Sequence, residues 1–272
     1  MDILITLNKA YMRQLEVLIH SLLLSNEHTH FVLYIISKEL TQEDIDKLEK
    51  RINNKLVTFK LLFFDDSLLI GAPTSSRYPL EIYYRLFAAK VLPEEIKRIL
   101  YLDPDIVVIN RLDELYNTNF ENAYFIGATH VRNFLRRINK LRVKAKKNSP
   151  YINTGVMMMN IELLRKEQNV QEVYDFINKF KLVLSLPDQD IIFGLYGEKI
   201  KLVDFMIYNL SDRMLTRENL IFKKKYDLDW VKENTVIIHY CGRNKPWRSK
   251  YRGILNIFYN KIEERMELMI RK

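Results

Sequence analysis

The sequence of 272 residues contains one cysteine, seven glycines and seven prolines. The single cysteine, Cys241, excludes a disulfide scaffold and a four-cysteine zinc site, and it favours a reducing, cytoplasmic setting. So few glycines and prolines exclude collagen-like sequence and flexible linkers. No apolar run approaches the roughly 18 residues of a membrane-spanning helix, and the N-terminus is not expected to be a signal peptide.

The rest of the composition is typical of a folded, basic protein. Hydrophobic residues make up 48% of the chain, which excludes intrinsic disorder. A chain of this length can bury a full hydrophobic core without disulfides or structural metals to stabilise it. Lys and Arg number 43 against 34 Asp and Glu, so the net charge is +9.

Short apolar runs alternate with helical apolar spacing in the first third of the chain. This alternation predicts βαβ units and an α/β fold, with a mostly parallel sheet covered by helices on both faces. Thr41 is expected to cap one helix, and residues 80–92 are expected to form another. The predicted strands cover residues 3–7, 31–36, 56–64, 99–102, 106–109, 124–128, 156–159 and 236–239.

One of the four Asp-x-Asp sequences in the chain stands at the end of an apolar strand. Asp103 and Asp105 follow strand 99–102, and Pro104 ends that strand because proline donates no hydrogen bond to a ladder. Two neighbouring carboxylates repel each other unless a cation or hydrogen-bond donors compensate, and a hard divalent metal is the simplest compensation. Because ligands of open α/β sheets bind outside the carboxyl ends of strands, we expect a metal site there.

His239 follows the last predicted strand and is the candidate third metal ligand. An imidazole beside two carboxylates shifts the preference towards Mn²⁺ or another transition ion. Gly242 and Lys245 come next, and a lysine that follows a glycine-containing turn beside a metal suits a diphosphate. A structural histidine and an ordinary surface turn are the alternative interpretation of these residues.

The order of these motifs resembles glycosyltransferase family 8, in particular its bacterial lipopolysaccharide α-galactosyltransferase and glucosyltransferase type. The similarity extends from residue 2 to about residue 250. The motifs that carry it are Tyr84-Arg85-Leu86, Leu102-Asp103-Pro104-Asp105, Asn153-Thr154-Gly155-Val156, Asp188-Gln189-Asp190, Tyr208-Asn209 and His239-x-x-Gly242-x-x-Lys245-Pro246-Trp247.

The resemblance implies a GT-A fold with a Rossmann-like sheet. It also implies retaining transfer of galactose or glucose from a UDP-sugar to a cell-surface glycan or lipopolysaccharide-type acceptor. Asp103, Asp105 and His239 would hold Mn²⁺, with Mg²⁺ as the alternative, and Gln189 and Asp188 would be catalytic. The residues implied to bind the donor sugar or nucleotide are Thr6, Asn8, Tyr11, Arg85, Asp103, Pro104, Asn153, Gly242 and Lys245.

Two residues depart from the family pattern. Asn8 stands where the first strand of the family usually ends in an acidic residue, and an asparagine can still accept a hydrogen bond from the uracil N–H. His130 stands where several relatives have aspartate in the acceptor region, so the acceptor is expected to differ.

Two basic segments lie outside these motifs. Residues 132–147 contain eight basic residues and no acidic one, so they form either a solvated face or a surface for an acidic acceptor or anionic lipid. Residues 248–272 are predicted to form a basic amphipathic tail after a GT-A domain over residues 1–247. This helical appendage either packs on the domain or contacts the inner face of the membrane from the cytoplasm.

Two other functions fit parts of the sequence. A sugar-1-phosphate nucleotidyltransferase would need a glycine-rich phosphate loop near the N-terminus, and residues 7–11 contain no glycine. A basic nucleic-acid-binding module would interleave basic and aromatic residues on one face, whereas here the charge falls in two patches. The expected partners are therefore a UDP-hexose and a glycan or glycolipid acceptor, with no nucleic acid.

Overall fold

The computed structural model describes residues 1–74, 79–130, 133–146, 148–222 and 225–270. Its strands are β1 (Asp2–Thr6), β2 (Phe31–Ile36), β3 (Val57–Leu62), β4 (Arg98–Leu102), β5 (Ile106–Val108), β6 (Phe125–Gly127), β7 (Val156–Asn160), β8 (Ile200–Leu202) and β9 (Ile237–His239). The main sheet has the order β3-β2-β1-β4-β7-β6-β8, and β5 pairs with β9 in a separate ribbon.

Helices connect these strands. The α-helices are α1 (Met12–Ser25), α2 (Gln42–Ile52), α3 (Ala88–Val91), α4 (Asp113–Asn117), α5 (Asn133–Val143), α6 (Ile161–Glu167), α7 (Val170–Phe180), α8 (Pro187–Tyr196), α9 (Phe205–Tyr208), α10 (Asp212–Ile221), α11 (Leu228–Asn234) and α12 (Asn256–Ile270). Thr41 caps α2 as predicted, in a reciprocal capping box with Asp44.

The main sheet is mostly parallel, which confirms the predicted fold class. β1 pairs in parallel with β2 and β4, β2 with β3, and β6 with β8, whereas β7 runs antiparallel to β4 and β6. Alternate residues of a strand point to opposite faces. Leu100 accordingly packs in the core that contains α1 and α2, and Tyr101 in the core that contains α7 and α8.

Residues 80–92 differ from the helix that was predicted for them. A 3-10 segment covers Leu80–Phe87, and only Ala88–Val91 is α-helical. Five consecutive residues, 83–87, are buried, so side-chain packing on all sides of the segment replaces the one-sided packing of an amphipathic α-helix. The short strand β8 was not predicted from the sequence.

The C-terminal tail packs on the domain through α12. Leu255, Tyr259 and Met266 are buried in a core shared with Val17 of α1. Arg13 of α1 also forms ion pairs with Glu263 and Glu267 of α12. Among the described residues, no helix combines the length and apolarity needed to cross a bilayer.

Candidate active site

A cleft of about 1180 Å³ opens at the carboxyl ends of β1 and β4. Every residue that the sequence nominated for the site lines this cleft: Thr6, Asn8, Tyr11, Arg85, Asp103, Pro104, Asp105, Asn153, Asp188, Gln189, His239, Gly242 and Lys245. The strand topology explains part of this convergence. β4 lies beside β1 in parallel, and the antiparallel β7 begins where β4 ends, so residues 153–155 reach the same edge.

The candidate metal ligands meet through the ribbon of β5 and β9. The chain turns at Pro104 and leaves the main sheet, and β5 then pairs antiparallel with β9 so that Ile106 lies opposite His239. The Tyr240 N–H donates to the Asp105 carbonyl oxygen at 3.0 Å. We expected a metal site at the carboxyl ends of the strands of an open α/β sheet. For His239 the reason differs, because the antiparallel register of β5 and β9 brings this residue to Asp105.

Asp103, Asp105 and His239 each place one potential ligand atom within 4.8 Å of the other two. His239 Nε2 lies 3.3 Å from Asp105 Oδ1 and 3.7 Å from Asp103 Oδ2. Gly155 allows this approach, since a Cβ there would lie 2.3 Å from His239 Cε1 and 2.5 Å from Asp103 Oδ2. Two carboxylates and an imidazole open to a cleft are a suitable donor set for Mn²⁺.

Lys245 compensates the charge of this cluster. Its Nζ donates to Asp105 Oδ2 and, at 2.9 Å, to the Tyr240 carbonyl oxygen. Burial alone would raise the pKa of Asp105, but His239 and Lys245 outweigh that effect and hold the pKa below its ordinary value. Asp105 is therefore ionised at neutral pH and ready to bind a cation.

Arg85 joins the candidate metal site to the candidate sugar site. Its guanidinium contacts Asp103 Oδ1 and Asp188 Oδ2 at 3.2 Å each and lies 4.2 Å above the Tyr101 ring. Thr154 donates to Asp188 Oδ2 at 2.6 Å. Burial raises the pKa of Asp188, and Arg85 opposes that rise. The side chains hold one another in place, which is the preorganisation that binding of a polar ligand requires.

Thr6, Asn8 and Tyr11 also line the cleft. Thr6 hydrogen-bonds the Tyr101 hydroxyl at 2.8 Å, and the Tyr11 ring packs edge-on against Trp247. Asn8 Oδ1 is buried and makes no hydrogen bond within the described part of the chain. A buried acceptor without a donor is costly, so this oxygen suits a ligand N–H.

Asp190, the last residue of Asp-Gln-Asp, has a supporting role that the sequence did not indicate. It is fully buried and receives two hydrogen bonds from Arg142, at 2.6 and 2.7 Å, and one from Tyr151 at 2.9 Å. Backbone N–H groups of Ser185 and Leu186 complete its shell. Asp190 thereby anchors the first turn of α8, which carries Asp188 and Gln189.

His130 is buried in the wall of the cleft. Its Nε2 lies 2.6 Å from the Asn209 carbonyl oxygen, and its Nδ1 faces Cys241 Sγ at 4.0 Å. Burial lowers the pKa of His130 to about 3, so the ring is neutral at physiological pH. A neutral imidazole therefore occupies a position at which an aspartate would bring a negative charge.

The basic stretch 132–147 lies partly beside the cleft. Arg132 and Lys147 fall outside the described residues, as does the side chain of Arg136. Within the described part, Arg142 binds Asp190, and Lys146 pairs with Glu198 at 2.5 Å. Arg142 and Lys146 therefore make ion pairs within the folded domain.

Comparisons with known proteins agree with this architecture. The glycosyl transferase family 8 model matches residues 2–251. A lipopolysaccharide 1,2-glucosyltransferase of Escherichia coli is 27% identical over 84% of this chain and 68% of its own length. A lipopolysaccharide 1,3-galactosyltransferase of Salmonella typhimurium is 24% identical over 85% of this chain and 68% of its own length.

The fold is similar to that of the galactosyltransferase LgtC, solved in complex with donor and acceptor sugar analogs. The TM-score is 0.80 at 19% identity, over 97% of this chain and 96% of that chain. The prediction that the protein is an enzyme is therefore confirmed. Neither a nucleotidyltransferase nor a nucleic-acid-binding module accounts for the family match. Because that match covers nearly the whole sequence, the chain belongs to glycosyl transferase family 8.

Proposed function

We propose that this glycosyltransferase moves galactose or glucose from a UDP-sugar to a lipopolysaccharide-type or other cell-surface glycan, with retention of configuration and with Mn²⁺ as cofactor. The observation that carries the proposal is the joint placement of a three-ligand cation site and the Arg85–Asp188 pair in one cleft. The names of the two lipopolysaccharide glycosyltransferase relatives support the acceptor class.

The Asp103, Asp105 and His239 side chains would hold the metal, with Mg²⁺ as the alternative ion. A divalent ion there supplies Lewis-acid stabilisation of a departing diphosphate. Lys245 would add a positive charge beside the phosphates. Gly242 has a φ of +94°, which favours glycine and lets the backbone turn towards them. The unpaired Asn8 oxygen would accept from the uracil N–H, with Thr6 and Tyr11 beside the nucleoside.

Four side chains would contact the donor sugar: Arg85, Asn153, Asp188 and Gln189. The transition state of glycosyl transfer resembles an oxocarbenium ion, so a buried carboxylate and fixed amide oxygens near the anomeric carbon would stabilise developing positive charge. Asp188 meets this requirement because it is nine-tenths buried and held by Arg85 and Thr154.

Hydrolysis of a panel of UDP-sugars tests the proposal. With Mn²⁺ present and no acceptor, we expect slow release of UDP from UDP-galactose or UDP-glucose, and none after chelation. Incubation with UTP and hexose-1-phosphate tests the nucleotidyltransferase alternative, and salt-dependent binding to random DNA tests the nucleic-acid alternative. Failure to bind or cleave any UDP-sugar would overturn the proposal.

Replacing Gln189 with alanine should slow transfer without weakening nucleotide binding. Gln189 lies in the first turn of α8, next to Asp188, and is not one of the three candidate metal ligands. An interaction made only in the transition state changes kcat and leaves binding nearly constant. We expect kcat to fall about 100- to 1000-fold, as when one preorganised group that stabilises transition-state charge is removed. UDP affinity should stay within about threefold of wild type.

Gln171→Ala, on the exposed face of α7, is the matched control, and it should leave both quantities unchanged. The anomeric proton coupling of the wild-type product is a separate check. It should show an α linkage, and a β-linked product would contradict the retaining assignment.

We also propose that the enzyme acts in the cytoplasm, on the inner face of the membrane, with α5 towards the lipid. Helix α5 carries four basic residues and no acidic one, although Arg142 is paired with Asp190. Helix α12 carries Lys261 and Arg265 against Glu263, Glu264 and Glu267. On α5, Leu141 is 79% exposed beside the basic residues Lys140 and Lys144. Anionic lipid attracts the positive helix, and an exposed leucine can enter the interface.

Anionic vesicles should bind the protein more weakly as salt increases, because salt screens exposed charges. Leu141→Ser should lower the partition coefficient about 10-fold, since a buried leucine contributes roughly 1.5–3 kcal/mol. Leu268→Ser on α12 removes a leucine that is 63% exposed and serves as the matched control. Equal binding by all three proteins, or loss only with Leu268→Ser, would contradict a membrane role for α5.

A further inference from the structure

We propose that Asn209 is a positioning residue that holds His239 in the tautomer able to bind a divalent cation. This inference rests on the proposed metal site and assigns a function to a residue outside it. Asn209 is fully buried and does not line the cleft, whereas its neighbours His130 and His239 do. It acts through His239 and is not itself a ligand.

The orientation of the asparagine amides follows from one backbone donor. The Gly155 N–H can only donate, and it lies 3.2 Å from the Asn153 side chain, so that atom is the acceptor Oδ1. The Asn209 side-chain atom 3.2 Å from the same oxygen must then be the donor Nδ2. The Asn209 oxygen consequently faces His239.

The tautomer of His239 follows from the Asn209 oxygen. His239 Nδ1 lies 3.0 Å from Asn209 Oδ1, which can only accept, so Nδ1 carries the hydrogen. In the neutral ring, Nε2 then has a free electron pair directed at the Asp103 and Asp105 carboxylates. In this tautomer the neutral ring can bind a cation through Nε2 together with the two carboxylates.

The backbone of Asn209 is held as firmly as its side chain. Its carbonyl oxygen accepts from His130 Nε2 at 2.6 Å, and its N–H donates to the Phe205 carbonyl oxygen at 3.1 Å. The next residue, Leu210, pairs with β9 through its N–H to Ile237 and its carbonyl to the His239 N–H. These backbone contacts fix the position of Asn209 relative to His239.

Calorimetric titration of Mn²⁺ in the presence of UDP tests the proposal. Asn209→Leu keeps the approximate volume but removes the acceptor, and we expect Mn²⁺ affinity to fall about 10- to 100-fold, as is typical when the partner of a ligating histidine is lost. Asn209→Asp restores an oxygen acceptor for Nδ1 and should recover most of that loss. UDP binding without metal should stay within about twofold of wild type in both variants.

The matched control is Asn110→Leu. Asn110 also supports the ribbon, by donating to the Lys232 and Thr235 carbonyls at 2.9 and 2.6 Å, but it does not contact His239. The Asn110→Leu variant should leave Mn²⁺ affinity unchanged. Long-range ¹⁵N–¹H spectra give a second readout, because they show which ring nitrogen of neutral His239 carries the hydrogen. The His239 signals are assigned by their absence from spectra of His239→Gln. The hydrogen should lie on Nδ1 in wild type and shift towards Nε2 in Asn209→Leu.

Equal Mn²⁺ affinity in wild type and Asn209→Leu would overturn the inference, as would an equal loss in the Asp and Leu variants. If Asn209→Leu does not fold, Asn153→Ala provides the same test, because it removes the acceptor that orients the Asn209 amide and should shift the tautomer in the same direction. A wild-type protein that binds no Mn²⁺ would instead contradict the proposed function.

Discussion

Replacing Asp105 with alanine is expected to abolish sugar transfer and Mn²⁺-dependent binding of UDP. Metal stabilisation of a leaving group amounts to several kcal/mol, and each 1.36 kcal/mol changes the rate tenfold, so we expect a loss of at least about 10³-fold. The measurement is a calorimetric titration of UDP with and without Mn²⁺, together with transfer assays. His239→Ala should have a smaller effect, because water can fill one coordination position.

Lys245 complicates the interpretation of this variant. Its Nζ is buried against Asp105, and Asp105→Ala removes this charged partner while leaving the hydrogen bond to the Tyr240 carbonyl oxygen. Breaking a buried ion pair costs about 3–5 kcal/mol, so part of the lost activity could come from unfolding. Asp105→Asn keeps an acceptor for Lys245 while removing the negative charge. Transfer should be lost in Asp105→Asn although its thermal midpoint lies closer to wild type than that of Asp105→Ala.

Asp46→Ala is the matched control, because Asp46 belongs to another Asp-x-Asp sequence and lies exposed on α2, where it accepts from Gln42 at 2.8 Å. It should behave as wild type. UDP binding of equal strength with and without Mn²⁺ in the wild type, combined with transfer that survives a chelator, would disprove the metal assignment.

Gly155→Ala is expected to eliminate metal-dependent activity with a single added methyl group. The new Cβ would lie 2.3 Å from His239 Cε1 and 2.5 Å from Asp103 Oδ2, distances that real Cβ atoms essentially never show. The backbone has little freedom to retreat, because the Gly155 carbonyl accepts from the Asp103 N–H at 2.8 Å. Two of the three ligands must therefore move apart, and we expect Mn²⁺ affinity to fall at least about 100-fold.

Gly194→Ala separates loss of the site from loss of stability. Its Cβ would lie 2.2 Å from Phe176 Cζ, in the core between α7 and α8 and away from the candidate metal ligands. Overpacking of a core costs roughly 1–3 kcal/mol, so this variant should melt earlier and still bind Mn²⁺. A Gly155→Ala protein with wild-type Mn²⁺ affinity would show that the metal does not bind among these three side chains.

The sequence alone determined the parts of the molecule that depend on neighbouring residues. Apolar runs predicted the strands β1 to β4, and Thr41 with Asp44 predicted the capping of α2. The two carboxylates of residues 103–105 were recognisable as a site because a strand, a proline and a second carboxylate follow one another directly. These features arise from local backbone preferences and side-chain periodicity, which a sequence expresses within about ten residues.

The sequence nominated the distant residues of the site, and only the tertiary structure decided how they meet and what holds them. His239 reaches Asp105 through the antiparallel register of β5 and β9, more than 130 residues apart in sequence. The fixation of His239 by Asn209, and of α8 by Arg142 and Asp190, also depends on contacts between separate elements. Such contacts depend on how whole elements pack and not on local periodicity. The sequence therefore indicated which residues could be ligands, and the packing determined which side chains hold those ligands in position.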